Sequence, residues 1–374
     1  MKNKLILLLS ILINLTSFAN DGVFYASGNN LIPLQETSIS LKKELLIFKI
    51  RNFNQLLVEV NFEFYNPGKE KKLLVGFVSP PASGDISELE EKHPQIENFT
   101  VLVNGDKLTY KVKRFDETSF KTDVGINAKD FIYFFEVNFK SGLNKVKHTY
   151  SYKASNSVEA YREFEYQITT GKRWANKRID DFELQIHLDN GIFFVPESFS
   201  KSYTKINWKI KGSGTFKEGT EKPFFDHGAI PYRYVHLNYG YIYFKEVNFA
   251  PDYDIYFGEN AWHSYTYKWC NKADSCSKNE LLQKMAPYFK LKPETYNNYR
   301  IDLNSFELKL LKNYFYAVRG LKFKTEDITN FYSSFFWYNP ITELKAESIK
   351  LSNNEKKFVT YLVKMEKEMQ AKEN

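Results

Sequence analysis

The side chains that could carry chemistry in this sequence are few and poorly spaced for it. The 374 residues include six histidines: His93, His148, His187, His227, His236 and His263. None falls in a His-Glu-x-x-His or other metal-ligating spacing. Asp226-His227, with His236, Asp252 and Asp254, forms one loose cluster, too dispersed to read as a ligand set. Lys211-Gly212-Ser213-Gly214-Thr215 lacks the outer spacing of a nucleophile elbow and reads as a turn. Asp180-Asp181 are adjacent carboxylates that read as solvated turn residues rather than a glycosidase pair. No phosphate-binding or dinucleotide loop appears. The expectation is no catalytic residue, no metal and no cofactor. The rival reading is an envelope hydrolase whose acid and base meet only in three dimensions.

Two cysteines, Cys270 and Cys276, stand in Trp269-Cys270-Asn271-Lys272-Ala273-Asp274-Ser275-Cys276. In an oxidising compartment they read as a disulfide closing a small loop. A metal site would need further ligands, and a reactive thiol would need a base; His263 alone is near enough in sequence for either. Export is expected on other grounds. Lys2 and Lys4, the apolar stretch Leu5–Leu15 and the small residues of Ser17-Phe18-Ala19 read as a secretory leader over residues 1–19, cut between Ala19 and Asn20. That stretch is too short to span a bilayer, and no later apolar run reaches the roughly 20 residues that spanning needs. The mature chain is therefore expected in the periplasm or outside the cell, without a transmembrane segment.

The elements that must position these residues fall into two textures. Aromatic residues make up 17% of the chain, which favours strands, and mean hydropathy is −0.47. From 20 to about 255, alternation such as Val58, Val60, Phe62 and Phe64 against Glu59, Asn61 and Glu63 marks half-buried strands. Asn104-Gly105 marks a hairpin turn. Phe182, Leu184, Ile186 and Leu188 mark another two-faced strand. Many short strands predict an antiparallel β-sandwich region, with room for two subdomains meeting near 150. Tyr239, Tyr241 and Tyr243 align on one strand face, as a ledge for a polysaccharide or as β-favouring surface.

After a linker over 256–277 the period changes to that of helices, predicting a small helical domain over 278–374. Asn279–Phe289 reads as a short helix. Asn304 or Ser305 starts a helix carrying Leu308, Leu311, Phe315 and Val318, with Gly320 at its C′ position. Thr325 starts another, burying Ile328, Phe331 and Phe335. Ser352 with Glu355 forms a capping box. The fold class is thus multidomain α+β. Charge divides at the same border: residues 277–374 carry 17 Lys/Arg against 12 Asp/Glu, whereas 20–276 carry 33 of each. The net charge of the mature chain therefore lies on the helical part, which suits an anionic envelope polymer or lipid headgroup. No basic stripe or motif supports nucleic acid.

Leu308-Lys309-Leu310-Leu311-Lys312-Asn313-Tyr314-Phe315-Tyr316-Ala317-Val318-Arg319-Gly320-Leu321-Lys322-Phe323 is similar to the signature of the YARHG domain, a small, mainly helical module of exported bacterial proteins named after Tyr-Ala-Arg-His-Gly. Phe331–Tyr338, ending in Trp337-Tyr338, resembles the family's second cluster, and Leu351-Ser352-Asn353-Asn354-Glu355 its closing helix. The resemblance covers about residues 300–368. It departs at the name itself, with Val318 where the family has Arg and Arg319 where it has His; Lys312 also stands where Arg is usual. A role that needs that His is absent here or carried differently. The resemblance marks Tyr316 and Arg319, three apart on one helix face, with Trp337 and Tyr338 arriving from the next element. These four could pair an anion and stack on a ring, or could cap carbonyls and fill a core.

More loosely, Asn20-Asp21-Gly22, Tyr65-Asn66-Pro67 and Thr169–Trp174 resemble exported β-rich domains of unknown function, which implies no enzyme activity. The expected function is a non-enzymatic cell-envelope or extracellular protein whose basic module binds peptidoglycan or another anionic envelope component. The third alternative is a scaffold that engages a protein partner through a β edge.

Overall fold

The alternation of Val58, Val60, Phe62 and Phe64 with Glu59, Asn61 and Glu63 demands a strand buried on one face. The structure, a computed structural model, meets that demand: Leu46, Phe48, Val58, Val60 and Phe62 are buried, while Lys49, Glu59, Asn61 and Glu63 take the other face. It describes residues 27–28, 31–33, 38–51, 55–79, 94–119, 129–154, 160–189, 191–218, 231–260, 280–285, 287–290, 296–298 and 300–373. Ala19, Asn20, Cys270 and Cys276, and with them the expected leader and disulfide, lie outside the described residues.

The first strands are β1 (Ser27–Gly28), β2 (Leu31–Pro33), β3 (Ser40–Arg51), β4 (Gln55–Asn66), β5 (Lys71–Ser79), β6 (Ile96–Val103), β7 (Asp106–Lys107), β8 (Lys111–Arg114), β9 (Phe131–Phe139) and β10 (Gly142–Lys153). They are followed by β11 (Ala160–Tyr166), β12 (Ile179–His187), β13 (Phe193–Pro196), β14 (Lys209–Glu218), β15 (Tyr232–Phe249) and β16 (Ile255–Asn260). Among the described residues, β2-β5-β9-β8 form one sheet. The others form a second, in the order β1-β11-β16-β13-β15-β12-β3-β4-β10-β6-β7, with β14 beside β15. Most pairs are antiparallel, but β12 joins β3 in parallel, as does β1 with β11. Alternation alone does not reveal strand direction. The tight turn at Asn104-Gly105, φ 51° and 97°, joins β6 to β7.

The long strand β15 organises the whole. β14 occupies one of its edges from Arg233 to Tyr243. The other edge is divided, with residues 232–235 pairing with β13 and residues 242–249 with β12. Between these halves Gly212 and Gly240 face each other at φ 124° and 96°, next to a register shift at Ser213/Gly214. A Cβ on Gly240 would lie 1.9 Å from the Lys211 carbonyl, so only glycine allows this close approach. The two arms that leave β15 then lie face to face: Phe48 of β3 stacks on Phe257 of β16 at 5.5 Å, and Tyr152 of β10 meets Phe164 of β11. The four-stranded sheet covers the rest of the same inner face, where Phe77 of β5 lies 4.8 Å from Phe99. The result is a sandwich with one apolar core running from Ile39 to Phe257, across residue 150. Trp174, fully buried, rests on Phe64 at 4.3 Å, while Asn176 clasps both the N–H and the carbonyl of Leu41.

The helices are α1 (Glu280–Met285), α2 (Ser305–Ala317), α3 (Glu326–Tyr332) and α4 (Asn353–Glu373). Asn304 caps α2 through Glu307 N–H, and Glu307 returns the bond to Asn304 N–H, so two free donors of the first turn are satisfied. Ser352 and Glu355 repeat that arrangement at α4. Lys312 pairs with Glu366 and Arg319 with Glu355, which sets α2 and α4 antiparallel. Leu308, Leu311, Phe315, Ile328, Phe331, Phe335, Phe358 and Leu362 share a second apolar core, joined by Ile192 and Tyr234 from the β region.

Candidate functional site

Polar side chains of β14, β15 and the 336–339 segment make the seam between the sandwich and the helices. His236 and Asn238 lie on the outer face of β15, and both reach the carbonyl of Val318, which caps the C-terminus of α2. Thr215 Oγ1 donates to the Phe336 carbonyl at 2.9 Å, and Asn339 Nδ2 donates to Ser213 Oγ at 3.0 Å. Lys217 Nζ lies over the Phe336 ring. His236 is 1% exposed, its second nitrogen 2.8 Å from the Gly191 carbonyl. Burial holds its pKa below the ordinary histidine value, against the upward pull of the two carbonyls.

Just past that seam the chain opens a cleft of about 380 Å³. Its sandwich side is Asn238 and Tyr239; its helical side is Arg319, Ile341, Leu344 and Ile349, with Glu343 and Ser348 also lining it. Local sequence explains the shape. Gly320, at φ 85°, ends α2 with a backbone turn in which a Cβ would press on the Asn339 carbonyl at 2.9 Å. Leu321 then bridges Ile341, and Ile341 N–H donates to the Gly320 carbonyl at 2.8 Å, drawing the 339–349 segment along the end of α2. Tyr239 is presented from the Gly212/Gly240 kink and is 59% exposed.

The four marked residues take different places. Arg319 lines the cleft but is already engaged. Nη1 donates to the Phe315 carbonyl at 2.6 Å and Nη2 to both Glu355 oxygens at 2.8 and 3.0 Å. Tyr316 is half-buried on α2, and its carbonyl receives the N–H groups of Arg319 and Leu321. Trp337 is 1% exposed, against Phe335 at 5.0 Å and Tyr332 at 5.9 Å, and its indole N–H has no acceptor among the described residues. Tyr338 is 8% exposed and donates to the Leu321 carbonyl. The indole and phenol rings therefore turn inward, into the apolar core that α2 and α3 share with Phe289, Phe358 and Leu362.

Other expected sites also have clear positions. Lys211–Thr215 is not a turn but part of β14, its glycines serving the kink. Asp180 and Asp181 lie in β12 rather than in a turn and pair across strands with Lys42 and Lys43. Asp252 receives Lys201 N–H and Asp254 receives Thr169 N–H, away from the carbonyl partners of His236. His227 and His263 lie outside the described residues. Among the described residues, no group of three His, Cys, Asp or Glu side chains could hold a metal. In the tyrosine ledge, Tyr241 carries the His187 ring at 4.5 Å and Lys211 Nζ at 5.6 Å, with Tyr243 beside it at 6.0 Å.

Sequence reasoning missed His236 as a seam residue. The available signal was its alternation with Val235 and Leu237, which places it on the face opposite the sandwich core.

This arrangement is a β-sandwich carrying a helical module, with a cleft where the two meet. Residues 293–367 match the YARHG domain family, so this stretch of the helical module, from before α2 into α4, is a YARHG domain. No curated protein matches the chain. Among solved structures, a candidate nutrient-binding protein from Legionella pneumophila is similar with 16% identity and a TM-score of 0.46, over 91% of this chain and 97% of that one. An M1 zinc metallopeptidase from Deinococcus radiodurans is similar at 11% identity and TM-score 0.27, over 59% of this chain and 42% of that one. Leukotriene A4 hydrolase from Saccharomyces cerevisiae gives 9% and 0.28, over 60% and 29%. Among the described residues, no helix is long and apolar enough to cross a membrane.

Proposed function

We propose that this is an exported, non-enzymatic binding protein of the cell envelope, whose YARHG domain engages an anionic envelope polymer through its surface lysines. One observation carries the reading. Arg319–Glu355 joins the end of α2 to the start of α4, which brings Lys322 and Lys324 to the same end of the module as Lys350, Lys356 and Lys357. All five are exposed, and none makes an ion pair among the described residues. Unpaired lysines at one end of a module cost self-repulsion and favour an anionic partner.

The test is co-sedimentation of the full mature chain with purified sacculi over a salt series, beside a Lys322→Glu/Lys350→Glu/Lys356→Glu variant. Pelleting that fades with salt and is lost in the variant supports the reading, since exposed charges are screened over a Debye length of about 8 Å at physiological ionic strength. No pelleting of folded protein at low salt, or pelleting indifferent to the charge reversal, overturns it.

A further inference from the structure

The cleft at the seam differs in character from the lysine-rich end. Its size lies in the range of small-ligand sites, which favour boundaries between structural units. Its electrostatics are not those of an anion site. Among its described lining residues the cation is Arg319, already paired with Glu355, and Glu343 adds an exposed carboxylate that makes no ion pair among the described residues. The lining itself therefore offers a phosphate or carboxylate no unpaired cation among the described residues.

What the cleft offers is a mixture of apolar and fork-shaped polar groups. Tyr239 presents an exposed ring from one side, and Ile341, Leu344 and Ile349 line the other. Glu343 has two acceptor oxygens, and the Arg319 guanidinium, whose five N–H groups are only partly used by Phe315 and Glu355, retains donors. Planar forks match pairs of neighbouring hydroxyls, and a tyrosine ring matches the C–H face of a pyranose. Tyr239 is presented from the Gly212/Gly240 kink, a close backbone approach that admits no side chain, so its backbone is set by the sheet.

We infer that the cleft between Tyr239 and the 341–349 segment binds a neutral saccharide unit of a glycan chain. This rests on the envelope-polymer reading above and divides the labour: the cleft holds a sugar ring, while the lysines at the end of the module meet acidic groups of the same polymer.

The experiment titrates the full mature chain with a β-1,4-linked N-acetylglucosamine tetramer, with inorganic phosphate as the anionic comparison, following amide shifts by NMR. The expected result is saturable shifts at residues 238–240 and 341–349 with the tetramer and none with phosphate. Tyr239→Ala, a change at an exposed position, should weaken the tetramer about tenfold, the loss of one good ring contact. The lysine reversal variant should bind the tetramer as the parent does. Absence of tetramer-induced shifts, shifts equally produced by phosphate, or affinity unchanged in Tyr239→Ala each overturns the cleft inference. Sacculus pelleting that survives in Tyr239→Ala while tetramer binding is absent leaves the lysine reading standing alone. Tetramer binding without salt-sensitive pelleting leaves the cleft standing and removes the lysines.

Discussion

His236 Nε2 lies 2.8 Å from the carbonyl oxygen of Val318, a contact between residues 82 apart that fastens the YARHG domain to the sandwich. The same oxygen receives Asn238 Nδ2 at 3.1 Å. Because Val318 caps α2, this carbonyl would otherwise be an unsatisfied acceptor at a helix terminus. The other ring nitrogen faces Gly191, so a neutral ring, which donates from one nitrogen only, satisfies one carbonyl and the imidazolium satisfies both.

His236→Asn should therefore lower stability by about 1–3 kcal/mol, the cost of leaving a buried partner unsatisfied. Urea unfolding followed by tryptophan fluorescence reads this, since Trp337 lies 6.1 Å from the imidazole. An unchanged midpoint would mean the two carbonyl contacts add nothing to docking.

Glu44 points into the sandwich core, paired in register with Phe62 and Phe182, and is 2% exposed. Burial pushes its pKa up from 4.5 to about 8, with the neighbouring Tyr166 hydroxyl pulling the other way. The folded chain thus holds a proton that the unfolded chain releases. Its stabilising share is complete below pH 4.5 and is lost as pH rises towards 8. Glu44→Gln should raise the melting temperature at pH 8 and have little effect at pH 4. Calorimetry at the two pH values checks this, and equal effects at both would contradict it.

His148 shows the opposite sign. Its ring is enclosed by Phe62, Phe77, Phe99 and Phe135, neither nitrogen has a hydrogen-bond partner among the described residues, and burial pushes its pKa down to about 3. The unfolded chain binds the proton first, so stability is complete above pH 6.5 and falls as pH drops towards 3. His148→Leu should flatten that acid limb. Urea midpoints at pH 7 and pH 5 should differ less in the variant than in the parent; an equal difference would place the acid sensitivity elsewhere.

Local chemistry was the legible part of this fold. Asn304 or Ser305 as a helix start, Ser352 with Glu355, Gly320 and Asn104-Gly105 each announce a cap or turn within a few residues; the structure makes Asn304 the cap and puts the others where the spacing has them. Alternation likewise identifies the inner faces of β4 and β12. The division of β15 between two arms, the parallel β12–β3 pair and the seam at His236 depend on partners far away in sequence, which no local pattern encodes. Trp337 shows the limit for sites, since a clustered aromatic pattern does not say whether a ring faces core or solvent until the neighbouring helix is placed.

Arg319 gives the fourth prediction. Its guanidinium joins the Phe315 carbonyl of its own helix to Glu355 at the start of α4, a fork that a lysine cannot reproduce. Arg319→Lys should destabilise the helical part by about 1–3 kcal/mol. Hydrogen exchange should quicken in α2 and α4 while β3, β4 and β10 keep their protection. Uniform change across both regions would show that the two unfold together.

The pairing of Phe48 with Phe257 also has a consequence in time. A chain emerging from its N-terminus makes β3 and β4 early, yet the β3 edge waits for β12 and Phe48 waits for Phe257 of β16, the last of them roughly two hundred residues later. Until then the apolar ribbon around Phe48 lacks the cover that β16 gives it in the finished fold. Such a fold assembles late and almost at once, so the newly made chain depends on whatever shields that ribbon in the interval.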